Sequence, residues 1–382
     1  MNRIKLGLVC DLFEENWASM DLVADQLFSN LQVNHADSAD PEMIRSRVRA
    51  GFSRFAGRHE ARFLRNVDRM LTRMWYFPRY VRQFSETFDV FHICDHSYAH
   101  IIHELPALRT GVFCHDLDAF QCVLEPEVHR RPWFLRYVAY RVLGGLRKAS
   151  IVFHSTRFVR DEVLRYRLLE PEKLVHAPYG VSPEFSAASS EADLRLCEAL
   201  GLRARGFILH VGSCIRRKRI DVLLDVFASV RARHPDLLLV QIGGEWTTEQ
   251  RTRLTALGVN DYVIQPGRKT QHDVAKLYRT AALVLMPSDA EGFGLPVIEA
   301  LACGAIVVAS DIPALREVGD EAAVYCGPGD VEHWVETVCR LLETPGEAPN
   351  WQRRVSRAGC FSWQEHTKRI IEAYRERITV NK

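Results

Sequence analysis

Short apolar or β-branched runs alternate along the chain with longer segments of helical spacing, the pattern of parallel strands joined by crossover helices. In the first half the runs are Ile4–Cys10, Val90–Cys94, Gly111–Cys114, Ile151–His154 and Leu174–Ala177. In the second they are Phe207–Val211, Leu237–Ile242, Tyr262–Gln265, Leu283–Met286 and Ala305–Ala309. The fold class is therefore α/β. Two sets of strands predict two doubly wound domains rather than one very wide sheet, because a single core stops growing near about 250–300 residues.

The polar stretch Val181–Arg205 interrupts the rhythm, and an N-capped helix is expected to start near Ser189 or Ser190. The predicted division is 1–185, 186–360 and a C-terminal helix within 361–382 that is expected to cross back to the first domain. A ligand cleft is expected between the domains, at the carboxyl ends of the strands.

Composition narrows the function classes. The 382 residues carry 50 Lys and Arg against 48 Asp and Glu, a net charge of +2, which gives no ground for a nucleic-acid partner. No run approaches the length of a membrane-spanning helix. The ten cysteines form no C-x-x-C pair, and the opening MNRIKLGLVC runs straight into a strand pattern, so reduced thiols and a cytoplasmic location are expected.

Charge is uneven within the first half. Residues 1–44 hold two basic groups and eight acids, whereas 45–82 hold eleven arginines and only Glu60 and Asp68. Val48, Phe52, Phe55, Phe63, Val67, Met70 and Met74 fall at near-helical spacing, with Arg54, Arg58, Arg62, Arg65, Arg69 and Arg73 to one side. An amphipathic helix is expected over 45–82. Its stripe packs on the first domain, its arginines rest on anionic lipid headgroups or a polyanionic acceptor, or both. RRPWFLRYVAYRVLGGLRK at 130–148 adds basic and aromatic residues in the same half.

The segment with most chemistry is Pro287–Ser310, PSDAEGFGLPVIEALACGAIVVAS. Gly292 and Gly294 permit close approach of a ligand to the backbone, and the helix expected from Leu295 offers free amides and a positive dipole end to a phosphate. Glu291 and Glu299, eight apart, can face one cleft, and a carboxylate on that helix is placed to accept from a pair of sugar hydroxyls.

The string E-G-F-G-L-P-V-I-E-A-L-A-C-G resembles the E-x7-E signature of the family-4 retaining glycosyltransferases of the GT-B fold, two Rossmann-like domains with a cleft between them. LHVGSCIRRKRIDVLL at 209–224 is similar to the family's strand–turn–helix that holds the donor diphosphate, with Gly212 and Ser213 in the turn. A leaving diphosphate gains negative charge, and without a metal only Arg and Lys offset it. Lys218 fits the family lysine. The family's usual arginine falls at Ser213, and Arg217 or Arg216 takes its place, as in the R-K branch that resembles bacterial mannosyltransferases.

GVFCHDLDAF resembles the family's H-D after a strand, which implies a role for His115 at the donor sugar. Asp116-Leu117-Asp118 is read as helix N-cap chemistry, and no metal is expected. HAPYGVSPEF resembles the segment leading to the hinge, with Tyr179 where Asn is usual. The first loop, with Glu14, Glu15, Asn16 and Trp17, departs from the family's glycine pair.

The resemblance thus implies a metal-independent, retaining hexosyltransferase with a nucleotide-sugar co-substrate and no other cofactor. Glu291, His115, Lys218 and Arg217 carry the chemistry; Glu299, Gly292, Phe293, Gly294, Leu295, Ser213 and Gly212 hold the donor. GDP-mannose is the first donor expected and a UDP-sugar the next, the acceptor being a glycan or lipid-linked molecule. A rival is a non-catalytic GT-B subunit supporting a partner enzyme.

Overall fold

A computed structural model of the chain describes residues 3–15, 17–55 and 61–380. Of the residues named above, Asn16, Arg58, Glu60 and the side chain of Phe55 lie outside it. The chain forms two units, Met1–Tyr179 with Trp363–Lys382, and Gly180–Ser362.

The first unit is built on β1 (Ile4–Val9), β2 (Ala39–Ile44), β3 (Val90–Ile93), β4 (Thr110–Cys114), β5 (Ile151–His154) and β6 (Leu174–His176). All are parallel, in the order β2-β1-β3-β4-β5-β6. Strands β3, β4 and β5 are buried throughout because crossover helices cover both faces, so they read as mostly apolar runs, with His92, Thr110 and His154 as buried polar exceptions. The strand order reverses between β1 and β3, which places the loops after those strands at a switch point.

The helix Trp363–Val380 belongs to this first unit, and a glycine shows why. A Cβ on Gly111 in β4 would lie 2.3 Å from the Tyr374 hydroxyl. That hydroxyl donates to Phe91 O at 3.1 Å and meets His92 Nδ1 at 3.0 Å, so the C-terminal helix is seated on the sheet through a site only glycine leaves open.

The second unit holds β7 (Phe207–Val211), β8 (Leu238–Ile242), β9 (Val263–Ile264), β10 (Leu283–Met286), β11 (Val307–Ser310) and β12 (Val324–Cys326). They run parallel in the order β12-β11-β10-β7-β8-β9. The reversal falls between β7 and β10. Helix Ile220–Arg233 buries Ile220, Leu223, Leu224, Phe227 and Val230 at helical spacing against this sheet's core.

Two strands were absent from the sequence expectations, β2 and β12, and both are edge strands. Ala39–Ile44 reads ADPEMI, with a proline that a central strand would not tolerate. The polar stretch expected to be a boundary is anchored in the second unit: helix Glu191–Ala199 starts with a Ser190/Asp193 capping box, and Arg279 donates to Asp193 and to Ser186 O.

The single amphipathic helix expected over 45–82 is not what forms. Residues 45–50 are irregular, Phe52–Phe55 is a 3-10 turn, and Ala61–Leu71 is followed by a π-helical turn, Thr72–Tyr76, and a further helix, Phe77–Arg82. Phe52, Phe63 and Met70 are exposed, while Asp68 and Thr72 are buried. Asp68 accepts from the amides of Gly51, Phe52 and Ser53 and from the Ser53 hydroxyl, which holds its carboxyl down at about 2. A polar knot, rather than an apolar stripe, fixes this segment.

Candidate active site

At the switch point of the second unit, the chain leaves β7 through the turn 212–218 and leaves β10 through the loop 287–294. The amide of Asp289 donates to Arg217 O at 2.8 Å, and Arg219 Nη1 reaches Asp289 at 2.8 Å. Arg217 Nη1 donates to Ala290 O at 2.9 Å and to Glu291 Oε2 at 3.1 Å, while Lys218 Nζ donates to Glu291 Oε1 at 2.5 Å. The cationic turn and the glycine-bearing loop therefore meet. Arg216, by contrast, is exposed.

Lys218 and Glu291 are both buried. Burial alone would raise the Glu291 carboxyl, but the charges of Lys218 and Arg217, with the hydrogen bond from Lys218, hold it below the usual carboxylate range. Two cations thus share one buried anion.

Glycines shape the wall. A Cβ on Gly244, at φ +103°, would lie 2.9 Å from the Cys214 amide nitrogen, and one on Gly243, at φ +99°, would lie 2.9 Å from Gly212 O. This pair after β8 lets the turn that carries Gly212 and the exposed Ser213 lie flat on it. Its only sequence signal was two adjacent glycines after an apolar run, and the sequence reading passed over them.

The helix Leu295–Ala302 starts from Gly294 at φ +105°, where a Cβ would strike Leu315. Gly292 and Phe293 are buried, the Phe293 ring standing edge-on to Phe361, and Leu295 is half-buried at the helix start. Glu299 sits one turn in, buried, accepting from the Tyr278 hydroxyl at 3.4 Å. No cation is among the causes of its shift; burial raises its carboxyl to about 7 against an ordinary 4.5, with Tyr278 opposing. The two glutamates of the motif are thus in opposite electrostatic states. His210 on β7 is fully buried beside Gly212, with neither ring nitrogen hydrogen-bonded, and burial pushes it down to about 3.

His115 lies in the first unit, just past β4. Its Nε2 meets Cys94 O at 2.8 Å and its Nδ1 meets the Tyr179 hydroxyl, so both ring nitrogens have protein partners. Burial lowers its pKa, against the pull of Asp95. Asp116 accepts from the Asp118 amide at 3.0 Å, as an Asx turn does, and among the described residues no group of three His, Cys, Asp or Glu is placed to hold a metal. At the switch point of this unit Asp11 is buried with neither carboxylate oxygen hydrogen-bonded; burial and Asp95 raise it to about 9 against Arg73. The altered first loop is tied down nearby: Glu15 accepts from the Tyr98 hydroxyl and pairs with Arg69 and Arg73.

Two Rossmann-like units of this topology make the fold GT-B, and the solved structures that superpose on the chain agree. Sucrose-phosphate synthase from Thermosynechococcus elongatus matches with a TM-score of 0.76 and 19% identity over 99% of this chain and 100% of its own. Residues 201–358 match the family model of the glycosyl transferases group 1, so the unit carrying the convergent loops is a domain of that family. Among curated relatives, O-antigen chain mannosyltransferase B of Escherichia coli is 27% identical over 271 residues, 68% of each chain. A D-inositol 3-phosphate glycosyltransferase of Frankia alni is 30% identical over 263 residues, 63% of this chain and 62% of its own. The match spans about a third to two thirds, 32–68%, of the length of these and other curated relatives.

Proposed function

We propose that the chain is a retaining glycosyltransferase that moves a hexose from a nucleotide sugar to a glycan, lipid-linked or small-molecule acceptor in the synthesis of cell-surface polysaccharide or glycoconjugate. The observation that carries the proposal is the convergence of Arg217 and Lys218 on Glu291 at the β7/β10 switch point, beside a glycine-bounded helix start. An arriving diphosphate competes with Glu291 for the two cations. As the glycosidic bond breaks, Arg217 and Lys218 offset the charge that develops on the leaving diphosphate, and the amides of Gly292–Leu295 hold phosphate and sugar. Glu291, relieved of part of its pairing, faces the sugar, and Glu299 accepts from the ribose hydroxyls. The acceptor's proton passes to the departing phosphate, so no protein nucleophile is required. For His115 to hydrogen-bond a donor sugar, one ring nitrogen must give up its protein partner, either the Tyr179 hydroxyl or Cys94 O.

GDP-mannose is the first donor to test, because the relatives include proteins named mannosyltransferases. UDP-sugars come next; one structural neighbour was solved with UDP and glucose. The proposed location is the cytoplasm, at the inner face of a membrane.

A thermal-shift screen of the purified chain against GDP-, UDP-, ADP- and dTDP-sugars tests the reading. One of them should raise the unfolding midpoint and be hydrolysed slowly in the absence of acceptor, with turnover lowered in Lys218→Ala. A chain that neither binds nor turns over any of them is instead a non-catalytic subunit of this fold.

A further inference from the structure

The helix Trp133–Lys148 in the first unit has two unlike sides. Ala139, Val142, Leu143, Gly145 and Leu146 are buried, and a Cβ on Gly145 would lie 2.0 Å from Ala99 O, so the helix is pressed backbone to backbone on the 3-10 segment His96–Glu104. The opposite side carries Trp133, Tyr137 and Tyr140 at i, i+4 and i+7, with Phe134 edge-on to Trp133. Trp133 is 80% exposed and Tyr137 61%. Four rings facing water within eight residues are more than scattered surface apolarity accounts for.

Charge says what covers them. Arg130, Arg131, Arg136, Arg141, Arg147 and Lys148 lie on or beside the helix, and no carboxylate occurs between Glu127 and Lys148. Glu125, on the approach, is already engaged by the Tyr166 hydroxyl and His129. Exposed aromatic rings on a helix that carries basic residues and no carboxylate of its own complement a bilayer interface: amphipathic rings settle among headgroups while guanidinium groups meet lipid phosphates.

A second element repeats the chemistry alongside. His100 Nε2 meets Arg73 O at 2.8 Å and His103 Nε2 meets Arg141 O at 3.1 Å, so the 72–82 helical segment and the 133–148 helix flank one strap. The former exposes Trp75, with the Arg79 guanidinium 3.5 Å above its ring, and Tyr76. No helix among the described residues is long and apolar enough to cross a membrane, so the contact is in-plane.

We propose that the exposed face of the helix Trp133–Lys148 docks the chain on an anionic phospholipid surface, the aromatic rings entering the interface and the arginines binding headgroup phosphates. Docking rests on the transferase reading only for its purpose, delivery of a lipid-linked acceptor; the binding stands on the surface alone.

The full-length chain is co-sedimented with vesicles of phosphatidylethanolamine and phosphatidylglycerol, and with vesicles of phosphatidylcholine. Partition onto the anionic vesicles should be at least about tenfold stronger and should fall with salt. Trp133→Ser/Tyr137→Ser should lower it about tenfold without changing the circular dichroism or the unfolding midpoint. Equal or absent partition on both vesicles, or full retention in the double variant, overturns the proposal. So does a dimer in lipid-free buffer that the double variant turns into a monomer, which would make a second copy the occupant. Nucleotide-sugar hydrolysis, measured in parallel without lipid, should be unchanged in the variant. A parent chain that hydrolyses a nucleotide sugar but does not partition onto anionic vesicles sinks the lipid surface alone, whereas a parent chain that docks without hydrolysing any nucleotide sugar sinks the enzymatic reading alone.

Discussion

Substitution of Glu299 by Gln tests the site through its electrostatics. Burial lifts the Glu299 carboxyl from 4.5 to about 7, so between those values the folded chain holds a proton that the unfolded chain has released. The group's contribution to stability is therefore fully present below pH 4.5 and is lost as pH rises through 7. The whole shift corresponds to about 3 kcal/mol. Glu299→Gln keeps the shape and the Tyr278 hydrogen bond but never ionises, so at pH 8 the unliganded variant should be more stable than the parent, by up to about that amount.

Donor binding should move the other way. If ribose hydroxyls donate to the ionised carboxylate, affinity must rise as Glu299 deprotonates, by about tenfold between pH 6 and pH 8 for a group titrating near 7. Calorimetric titration with GDP-mannose or UDP-glucose measures this. The intact nucleotide sugar is the right ligand, because a terminal phosphate on the free diphosphate would itself titrate near 6. In Glu299→Gln the affinity should be lower at pH 8 and flat with pH. A parent with no pH slope, or a variant that keeps it, refutes the assignment of Glu299 to the donor.

Lys218→Met leaves the buried Glu291 carboxylate with Arg217 as its remaining cation and should cost about 1.5–3 kcal/mol in urea unfolding; adding Glu291→Leu should recover most of that stability while sugar transfer stays lost. Gly244→Ala places a Cβ 2.9 Å from the Cys214 amide at φ +103°, so donor affinity should drop with stability. Gly258→Ala, also at positive φ but with nothing within 4 Å, should cost only about 1 kcal/mol and leave donor affinity unchanged. Tyr374→Ala should cost about 3–5 kcal/mol and expose the segment before Trp363 to limited proteolysis, because the C-terminal helix loses its seat on Gly111.

The parallel strands were legible because burial on both faces makes them mostly apolar; the two that escaped are edge strands, β2 carrying Asp40, Pro41 and Glu42 and β12 only three residues long. The glutamates and glycines of 291–299 could be named from the chain alone, since a close backbone approach demands glycine and the spacing along a helix is fixed. The arginine-rich segment shows the opposite. Its apolar spacing fits a helix, yet four hydrogen bonds to Asp68 from the chain 15 to 17 residues before it, and a π-helical turn, outweigh that periodicity.

By itself, the sequence determined the α/β class, the topology's repeating unit and the residue types able to bind a sugar diphosphate, because these follow from local periodicity and from the chemistry of single side chains. Only the tertiary structure decided that Lys218 and Arg217 converge on Glu291 across more than seventy residues of chain, that burial raises the Glu299 carboxyl to about 7 with no cation to oppose it, and that the aromatic side of the helix Trp133–Lys148 faces water. Charge state and exposure depend on which atoms come near and how much solvent they displace, and those are properties of packing that no single stretch of chain contains.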